Sequence, residues 1–592
     1  MNNTIRQWFQ LALRRPVRAA MIAFWHVAGK RVRARGQLAD AILRLPFRYD
    51  EWVNDCAADD AATIGALPSI VDHRSPITVH LHIGAFATDQ FRSAIGSVLN
   101  QTWPHWRMII TTTAQSVESA GNGFSHDPRV RTVSGYSSQS AALAAALDQA
   151  DTAYIVPLDG DCRLPPHALL AFAAAIGEQS EQDPPVLYGD QDEFSAAGRR
   201  FNPWFKPGWD RDMFLAQDYL SAACAIPVMA ARQAMPKIMT SDEGSSPVYA
   251  LLLQMVASPS QPVSHLNRVT ISTPVGYWQR KCPERLATLQ RHLTATSDAK
   301  VLEGSFGTAI VQWQLPVREP LVSIVIPTRD RLDLLQPCVE GVLNQTSYRN
   351  FEIIIADNGS IEPDTLAFLD RVSADPRVRV VSWPFPYNYS AINNFAVREA
   401  TGEFLCLLNN DIEIIDSTWL TELMRHACRD GVGAVGARLL YPDRSIQHAG
   451  VVVGMGNAAG HAHRGLPHGE AGYFAHALIA REATAVTAAC LVVSRHLFDA
   501  VGGLDETDLR IAYNDVDFCL KLRAAGARNI YAPEAVLIHH ESKSRGLDMA
   551  TEHLDRYMKE LAVLQKRWDT TLFMDMTHHR VLDRSSEIYR TP

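Results

Sequence analysis

The stretch VSIVIPTRDRLDLLQPCVEGVLNQTSYRNFEIIIADNGS, residues 322–360, decides the fold. It opens on an apolar run, passes through a segment of helical period, and closes on a second apolar run rich in β-branched residues, FEIIIAD. Strand, helix and strand at this spacing form a parallel β-α-β unit, because parallel neighbours need a crossover of a dozen or more residues. The pentapeptide VLNQT inside it, Val342–Thr346, also stands at Val98–Thr102.

Further matches follow in the same order. DPRVR occurs at Asp127–Arg131 and at Asp375–Arg379, and YIVPLDGDCRL, around Asp159 and Asp161, lines up with FLCLLNNDIEI, around Asn409 and Asp411. The offsets, 244, 248 and 250 residues, drift only as small loop insertions would make them drift, so the chain holds two copies of one domain. RVRTVSG and RVRVVSW supply a third strand in each copy, and AALAAALDQA and SAINNFAVREA the next helix. The pattern predicts a doubly wound α/β sheet, whose ligands bind beyond the carboxyl ends of the strands.

Composition narrows the class. At 592 residues, with 47% hydrophobic and 20% charged residues, the chain is ordinary globular protein of several domains, and a net charge of -8 excludes a general nucleic-acid binder. Nine cysteines without a C-x-x-C pair argue against zinc ribbons, redox motifs and a disulfide framework, and fit a reducing cytoplasm. The N-terminus differs from this average: Arg6, Arg14, Arg15, Arg18, Lys30, Arg31, Arg33 and Arg35 all precede the first acid, Asp40. With Trp8, Phe9, Leu11, Leu13 and the run AAMIAFWHVAG, residues 1–40 either lie peripherally on the anionic inner face of the plasma membrane or pack as a basic helix on the protein itself. The apolar run falls short of the roughly 20 residues that a membrane span needs.

Polar and acidic residues gather after the strands of the second copy: Asp330 after the first, Asp357 after the second, and Asn409, Asn410 and Asp411 after the fourth. AYNDVDFCLKLRAAG puts Asn514 and Asp515 ahead of a helix closing at Gly526, and AVLIHHES puts His539 and His540 at a strand end. Turn chemistry alone enriches Asp and Asn at strand ends, and Asp515 also suits a helix N-cap, so each residue taken singly has a structural reading. As a set they offer a carboxylate and an imidazole to one divalent cation, which would neutralise a diphosphate leaving group. They also offer a second carboxylate, off the metal, to deprotonate an attacking hydroxyl.

VSIVIPTRDRLDLL, NQTSYRNFEIIIADNGS, FLCLLNNDIEI, TAACLVVSRHLFDAVGGLDE, NDVDFCLKLRAAG and HHESKSRG together resemble a family 2 glycosyltransferase of the GT-A fold, and within it the two-domain, rhamnosyltransferase-like bacterial enzymes that build surface polysaccharides. The resemblance implies two tandem GT-A-like doubly wound domains with helical N- and C-terminal extensions. The expected bounds are a basic helical arm over 1–74, a degenerate GT-A-like domain over 75–259, a connector over 260–319, a catalytic domain over 320–546 and a helical tail over 547–592.

It further implies an inverting, cytoplasmic transferase that moves a sugar from a nucleoside diphosphate sugar to a hydroxyl of a glycan or lipid-linked glycan, in O-antigen (lipopolysaccharide), capsule or another cell-surface polysaccharide. Pro327, Thr328, Arg329, Asp357, Asn409 and Asn410 would hold the nucleotide sugar, with Asp357 on the base. Asp411, with His539 favoured over His540, would hold Mg or Mn; Asn409 replaces the family's aspartate and implies weaker metal binding. Asp515 matches the catalytic base, and Asn514 stands where Glu is usual. Asn514, His448, His461 and His463 are candidates for the acceptor side, the three histidines otherwise being solvated loop residues.

The first copy reads as eroded. IITTTA replaces IIADNG, so the nucleotide-binding aspartate is missing, and Ser246 and Pro247 stand where an acid pair is expected. Asp159 and Asp161 keep a D-x-D as a vestigial or second metal site, which leaves open a bifunctional enzyme beside a single active site with an acceptor-binding or stabilising partner domain. A scaffold protein inactive in both domains is the rival of another class. The G-x-G-x-x-A of Gly454, Gly456 and Ala459 precedes too many Gly and Pro residues for a dinucleotide-binding helix, and LQKRW miscounts the Q-x-x-R-W of processive synthases. The run Leu554, Tyr557, Met558, Leu561 and Leu564 predicts a tail helix packed on the preceding domain.

Overall fold

The structure is a computed structural model of the chain. It describes residues 76–540 and 553–591 apart from 84–87, 113–126, 179–182, 239–245 and 258–260, together with residues 11–12, 16–27, 49 and 51–56 of the arm. Arg6, Arg14, Arg15, Lys30, Arg31, Arg33, Arg35 and the ESKSRG part of HHESKSRG lie outside the described residues.

The duplication extends through the central strands of both sheets. In the first domain β1 (Ile77–Ile83), β2 (Trp106–Thr112), β3 (Val130–Ser134) and β4 (Tyr154–Asp159) are parallel, with helices α1 (Thr88–Leu99) and α2 (Gln139–Gln149) as crossovers. The sheet continues through β5 (Val186–Phe194), β6 (Arg200–Trp204) and β7 (Cys224–Pro227) in the order β3-β2-β1-β4-β7-β5-β6, and β8 (Val263–Pro274) runs parallel to β5. The residues that the sequence reading assigned to the start of the connector thus form the last strand of the first sheet: the run VSHLNRVTISTP is only half apolar, which hid its strand character. The connector proper is helix α3 (Tyr277–Thr296) and a hairpin of β9 (Lys300–Glu303) and β10 (Ala309–Gln312).

The second domain repeats the plan with β11 (Val322–Thr328), α4 (Leu332–Gln345), β12 (Phe351–Asp357), β13 (Val378–Ser382), α5 (Tyr389–Glu399) and β14 (Phe404–Leu408). After the short β15 (Ile412–Ile414) and helix α6 (Trp419–Ala427) come β16 (Val432–Leu440) and β17 (Ile446–His448). A hairpin of β18 (Val451–Val453) and β19 (Ala459–His461), then β20 (Arg481–Glu482), β21 (Cys490–Ser494), helix α7 (Asn514–Ala524) and β22 (Arg528–His539) complete the domain. The strand order β13-β12-β11-β14-β21-β16-β22-β15 matches the first sheet, with the parallel pair β16 and β22 in place of β5 and β8.

Every residue of VSIVIPT in β11 is buried, as expected of a parallel strand covered on both faces. The covers are two apolar layers: Leu335, Val339, Trp419 and Leu423 on one side, Ile392, Ala396, Phe518 and Leu522 on the other. The G-x-G-x-x-A segment is the turn of the β18–β19 hairpin, so no helix follows it. The repeated VLNQT fastens the end of its helix to the loop beyond the fourth strand. Gln101 donates to the Pro165 carbonyl at 2.7 Å, and in the second copy Thr346 Oγ1 accepts from Trp419 Nε1 at 3.1 Å.

Helix α8 (Leu554–Trp568) packs on the second domain through a face rotated from the predicted one. Glu560 and Leu564 are buried, whereas Leu554 and Met558 are exposed, because Glu560 is drawn inward by a backbone N–H at Ala512. The chain then crosses back to the first domain, where Met576 O accepts from Gly208 N at 2.7 Å and His579 Nε2 lies 3.2 Å from Asp190 Oδ2. The domains also meet directly: Asp212 sits between Arg429 and Arg528, each at 2.6 Å, and Trp204 stacks on Phe474 with ring centroids 4.7 Å apart.

Candidate active site

The carboxyl ends of β11, β12, β14 and β22 meet along one edge of the second sheet. Where β11 ends, Asp330 and Arg331 take left-handed backbone angles, φ 52° and 57°, in which non-glycine residues are uncommon. Asp330 Oδ1 compensates by accepting the N–H groups of Ile361 and Glu362 at 2.7 and 2.8 Å, which locks the loops after β11 and β12 together. Thr328 is buried, Arg329 exposed, and Asn410 Nδ2 donates to Thr328 Oγ1 at 3.0 Å. Asp357 Oδ1 accepts from Ser360 N and Oγ at 3.0 and 2.6 Å, so half of this carboxylate closes a turn.

One step along the edge, Asp411 and His539 face each other across the β15–β22 pairing, with His539 Nε2 3.1 Å from Asp411 Oδ1. Both side chains are nearly buried, and Asp411 Oδ1 accepts no hydrogen bond. Burial pushes the Asp411 carboxyl up, but His539 and His540 outweigh this and hold it below the usual carboxylate range. Asn409 Nδ2 points at the same His539 nitrogen from 3.3 Å, while His539 Nδ1 meets Gln447 Oε1 at 2.7 Å. Nδ1 therefore carries a hydrogen, and Nε2 faces the carboxylate either protonated, as the ion pair that lowers Asp411, or unprotonated, as a lone pair beside a carboxylate lone pair. Two buried acceptors at that separation are what a divalent cation would bridge, so the residues fit the cation expected from the sequence. His540 turns to Glu413 Oε2 at 2.9 Å, away from Asp411.

Asp515 stands in the first turn of α7, behind Tyr513, whose φ of 61° is a strained left-handed value that turns the chain sharply into the helix. The strain is held from outside. Glu560 Oε2 accepts the Ala512 N–H at 2.6 Å, the Tyr513 and Tyr557 hydroxyls meet at 2.5 Å, and Arg567 Nη1 and Trp568 Nε1 both donate to Asp517 Oδ1. Burial raises the Asp515 carboxyl above its ordinary value against the opposing hydrogen bonds of Ala488, Val516 and Thr487. Tyr389 lies between the two halves of the site: its hydroxyl is 3.2 Å from Asn409 Oδ1 and 3.1 Å from Ala488 O. Burial, Tyr387 and the charges of Asp515 and Asp411 all push its phenol up.

Two stretches of the chain, residues 88–235 and 323–452, match one family description, glycosyl transferase family 2. One match lies in each of the two domains. Uncharacterized protein y4gI of Sinorhizobium fredii is 37% identical over 521 residues, 84% of this chain and 57% of its own. O-antigen biosynthesis protein RfbC of Myxococcus xanthus is 32% identical over 534 residues, 85% of this chain and 40% of its own. The chain therefore spans only part of each relative's length. Among solved structures, mannosyltransferase PcManGT from Pyrobaculum calidifontis, in complex with GDP-Man and Mn2+, aligns at 16% identity with a TM-score of 0.33, over 43% of this chain and 67% of its own.

The two domains differ at several polar positions of the site. Strand register puts Thr112 of β2 opposite Ile83, where the second domain has Asp357 opposite Thr328. The bridge between Arg163 and Ser272 parallels the pairing of Glu413 with Ile538, which puts Thr273 in the position of His539. Asp159 and Asp161 remain, but α3 covers them. Asp159 Oδ2 accepts from Tyr277 Oη at 2.7 Å and lies 3.5 Å from Lys281 Nζ, and Asp161 Oδ2 accepts from Arg280 at 2.7 Å. The connector's own cations thus occupy the place of a metal.

Other expectations need correction. His448 and His463 are fully buried and do not form an acceptor-side loop: His448 bonds the Ala437 carbonyl at 2.9 Å, and His463 stacks on Tyr589 of the tail. His461 stands beside His448 with ring centroids 5.2 Å apart, and its N–H donates to Glu587. Asn514 is buried, and its amide closes a local turn on the Ile511 carbonyl at 2.9 Å rather than facing an acceptor. Two further clusters of acids and histidines lie away from the sheet edge. In one, the His579 Nδ1 accepts the Val581 N–H, so its hydrogen lies on Nε2, in ion-pair contact with Asp190 at 3.2 Å; in the other, Asp210, Asp212 and Glu482 are answered by Arg429, Arg523 and Arg528. Gln447, Tyr389, Thr487 and Glu560 escaped the sequence reading because each reaches the site only through tertiary pairing, with no motif or period of its own.

Proposed function

We propose that the protein is an inverting glycosyltransferase with a single active site, in the second domain, that transfers a hexosyl or deoxyhexosyl group from a nucleoside diphosphate sugar to a hydroxyl of a growing surface glycan. The observation that carries this reading is the pairing of Asp411 Oδ1 with His539 Nε2 at one strand-end edge, with Asp515 close by through Tyr389 and Ala488. Asp411 and His539 would hold Mg or Mn, which neutralises the charge that develops on the departing diphosphate. Pro327, Thr328, Arg329 and Asp357 line the nucleotide side, where Asp357 keeps Oδ2 clear of its turn to accept from a base N–H. Asp515 takes the proton of the acceptor hydroxyl as its oxygen bonds the anomeric carbon from the face opposite the breaking carbon–phosphate oxygen bond. Its raised proton affinity suits that role near neutral pH.

The RfbC relative supports a place in O-antigen or related surface-polysaccharide synthesis. The acceptor in this reading is a glycan or lipid-linked glycan, and the donor class is rhamnosyltransferase-like. Among the described residues no helix is long and apolar enough to cross a membrane. The helix Pro16–Val27 nonetheless exposes Val17, Met21 and Phe24 on one face while Ala19 and Ile22 are buried on another. That stripe supports peripheral contact with a bilayer surface in the cytoplasm. The cations from α3 on Asp159 and Asp161 favour one active site over two.

The test is thermal stabilisation by a panel of nucleoside diphosphate sugars with Mn2+, followed by turnover, in the parent, Asp411→Ala and Asp515→Asn. Donor stabilisation lost in the first variant and turnover lost in the second are expected. Absence of stabilisation by every donor in the parent would refute the transferase and leave the scaffold.

A further inference from the structure

His539 can serve a metal only if its Nε2 is unprotonated, and an isolated imidazole favours neither nitrogen strongly enough to guarantee that. The structure supplies the missing constraint on β17, a strand of three buried residues paired to β16. Gln447 Oε1 stands 2.7 Å from His539 Nδ1, and a carbonyl oxygen can only accept, so the hydrogen lies on Nδ1. Nε2 is then the nitrogen turned to the carboxylate: Asp411 Oδ1 lies 3.1 Å and Asn409 Nδ2 3.3 Å from it, so a cation bound there takes the place of a hydrogen on Nε2. The neighbouring residue on β17, His448, uses its Nε2 to accept the Thr487 N–H at 3.3 Å, and the next amide, Ala488 N, donates to Asp515 Oδ2 at 3.2 Å. One short strand therefore touches both halves of the site.

We propose that Gln447 is a positioning residue that selects the metal-binding tautomer of His539, and that it acts on the cation without touching the sugar donor. This rests on the reading of Asp411 and His539 as a cation site. Outer partners of this kind typically change metal affinity by about 10- to 100-fold.

Gln447→Glu keeps an acceptor at the same reach and removes any possibility of donation, so it must preserve the Nδ1–H form. Gln447→Leu keeps the approximate volume and removes the acceptor. The experiment titrates Mn2+ alone into the full-length parent, His539→Ala, Gln447→Glu and Gln447→Leu, reading free Mn2+ by electron paramagnetic resonance, with the thermal midpoint of each metal-free protein as a check on folding. The expected result is binding in the parent, loss in His539→Ala, parental or tighter binding in Gln447→Glu, and binding weaker by about tenfold or more in Gln447→Leu at an unchanged midpoint. Equal affinity in parent and Gln447→Leu, or equal weakening in both Gln447 variants, overturns the positioning role while leaving the cation site standing. A parent that binds no more Mn2+ than His539→Ala overturns the cation site and the proposal with it. Should Gln447→Leu fail to fold, Gln447→Glu decides: a weakened affinity there overturns the role.

Discussion

Replacing Asp159 and Asp161 of the first domain together by asparagine separates one active site from two. Lys281 Nζ lies 3.5 Å from Asp159, and at an effective dielectric of about 20 a charge pair at that distance is worth about 5 kcal/mol before desolvation. The Asp159 side chain is 36% exposed, and Arg280 opposite Asp161 is 53% exposed, so solvent and the cost of removing the charges from water take back most of that. A net loss of about 1–2 kcal/mol follows, or roughly 2–8 °C in the melting of a domain of this size.

The folded Asp159 carboxyl is raised by burial but lowered further by Lys281, Tyr277 and Arg285, so it ends below its ordinary value. The stabilisation should therefore be complete above the ordinary carboxylate range and fade as pH falls through it. The share of the destabilisation that comes from Asp159 should follow the same course, full at neutral pH and absent in acid, whereas Asp161, whose carboxyl is pushed up by burial and the Asp159 charge, contributes with the opposite sign. Calorimetry across pH and a parallel Mn2+ titration read both quantities. Turnover and Mn2+ affinity within about twofold of the parent are expected, since Lys281 and Arg280 already hold the place of a cation. A fall of tenfold in either would mean that the first domain binds metal, and would refute the reasoning.

Turnover with a fixed donor should rise with pH through a limb set by Asp515, lying above the ordinary carboxylate value because burial raises that group; a limb at the unperturbed value, or one surviving in Asp515→Asn, would remove Asp515 as the base. Asp212→Ala should cost about 3–5 kcal/mol, because it removes the carboxylate that Arg429 and Arg528 share and leaves Arg528 only Glu482, and should split a joint melting transition into two; an unchanged single transition would show that the domains do not depend on this contact. Aspartate at Val17, Met21 and Phe24 together should abolish flotation with vesicles rich in anionic lipid while leaving the melting midpoint in place, and undiminished flotation would dispose of the membrane contact.

The repeat, the parallel units and the strand-end acids were legible because each is written locally: a buried parallel strand must be apolar throughout, and a residue just past its end must face the ligand edge. The same logic explains what was missed. β8 pairs along one edge and is half exposed, so its composition resembles a connector. Gln447 and Tyr389 act across 92 and 20 residues of sequence respectively, and nothing in IQHAG or PYNYS announces a partner that far away. The histidines of the 448–463 segment misled in the opposite direction. Their density suggested a polar loop, but the C-terminal tail seals it by stacking Tyr589 on His463.

Why an eroded copy persists follows from where it grips the other. Asp212 holds Arg528, the first residue of β22, and the last residue of that strand is His539. Asp210 Oδ2 accepts the Glu482 N–H at 2.8 Å, at the start of the segment that leads to Thr487 and Ala488 and so to Asp515. The two contacts therefore fix the roots of the two elements that carry His539 and Asp515, the proposed cation ligand and the proposed base. Nucleotide binding could be lost from the first domain without affecting these roots, since the side chains concerned, Thr112, Thr273 and the covered Asp159 and Asp161, lie at the strand-end edge rather than at the interface. Asp210 and Asp212 had no such freedom: Asp212 neutralises two arginines of its neighbour, and an apolar residue there would take the carboxylate from Arg429 and leave Arg528 only Glu482. Under the proposed single-site reading, the first domain serves as a rigid base for the second, and its D-x-D is held by Tyr277, Arg280 and Lys281 of the connector helix.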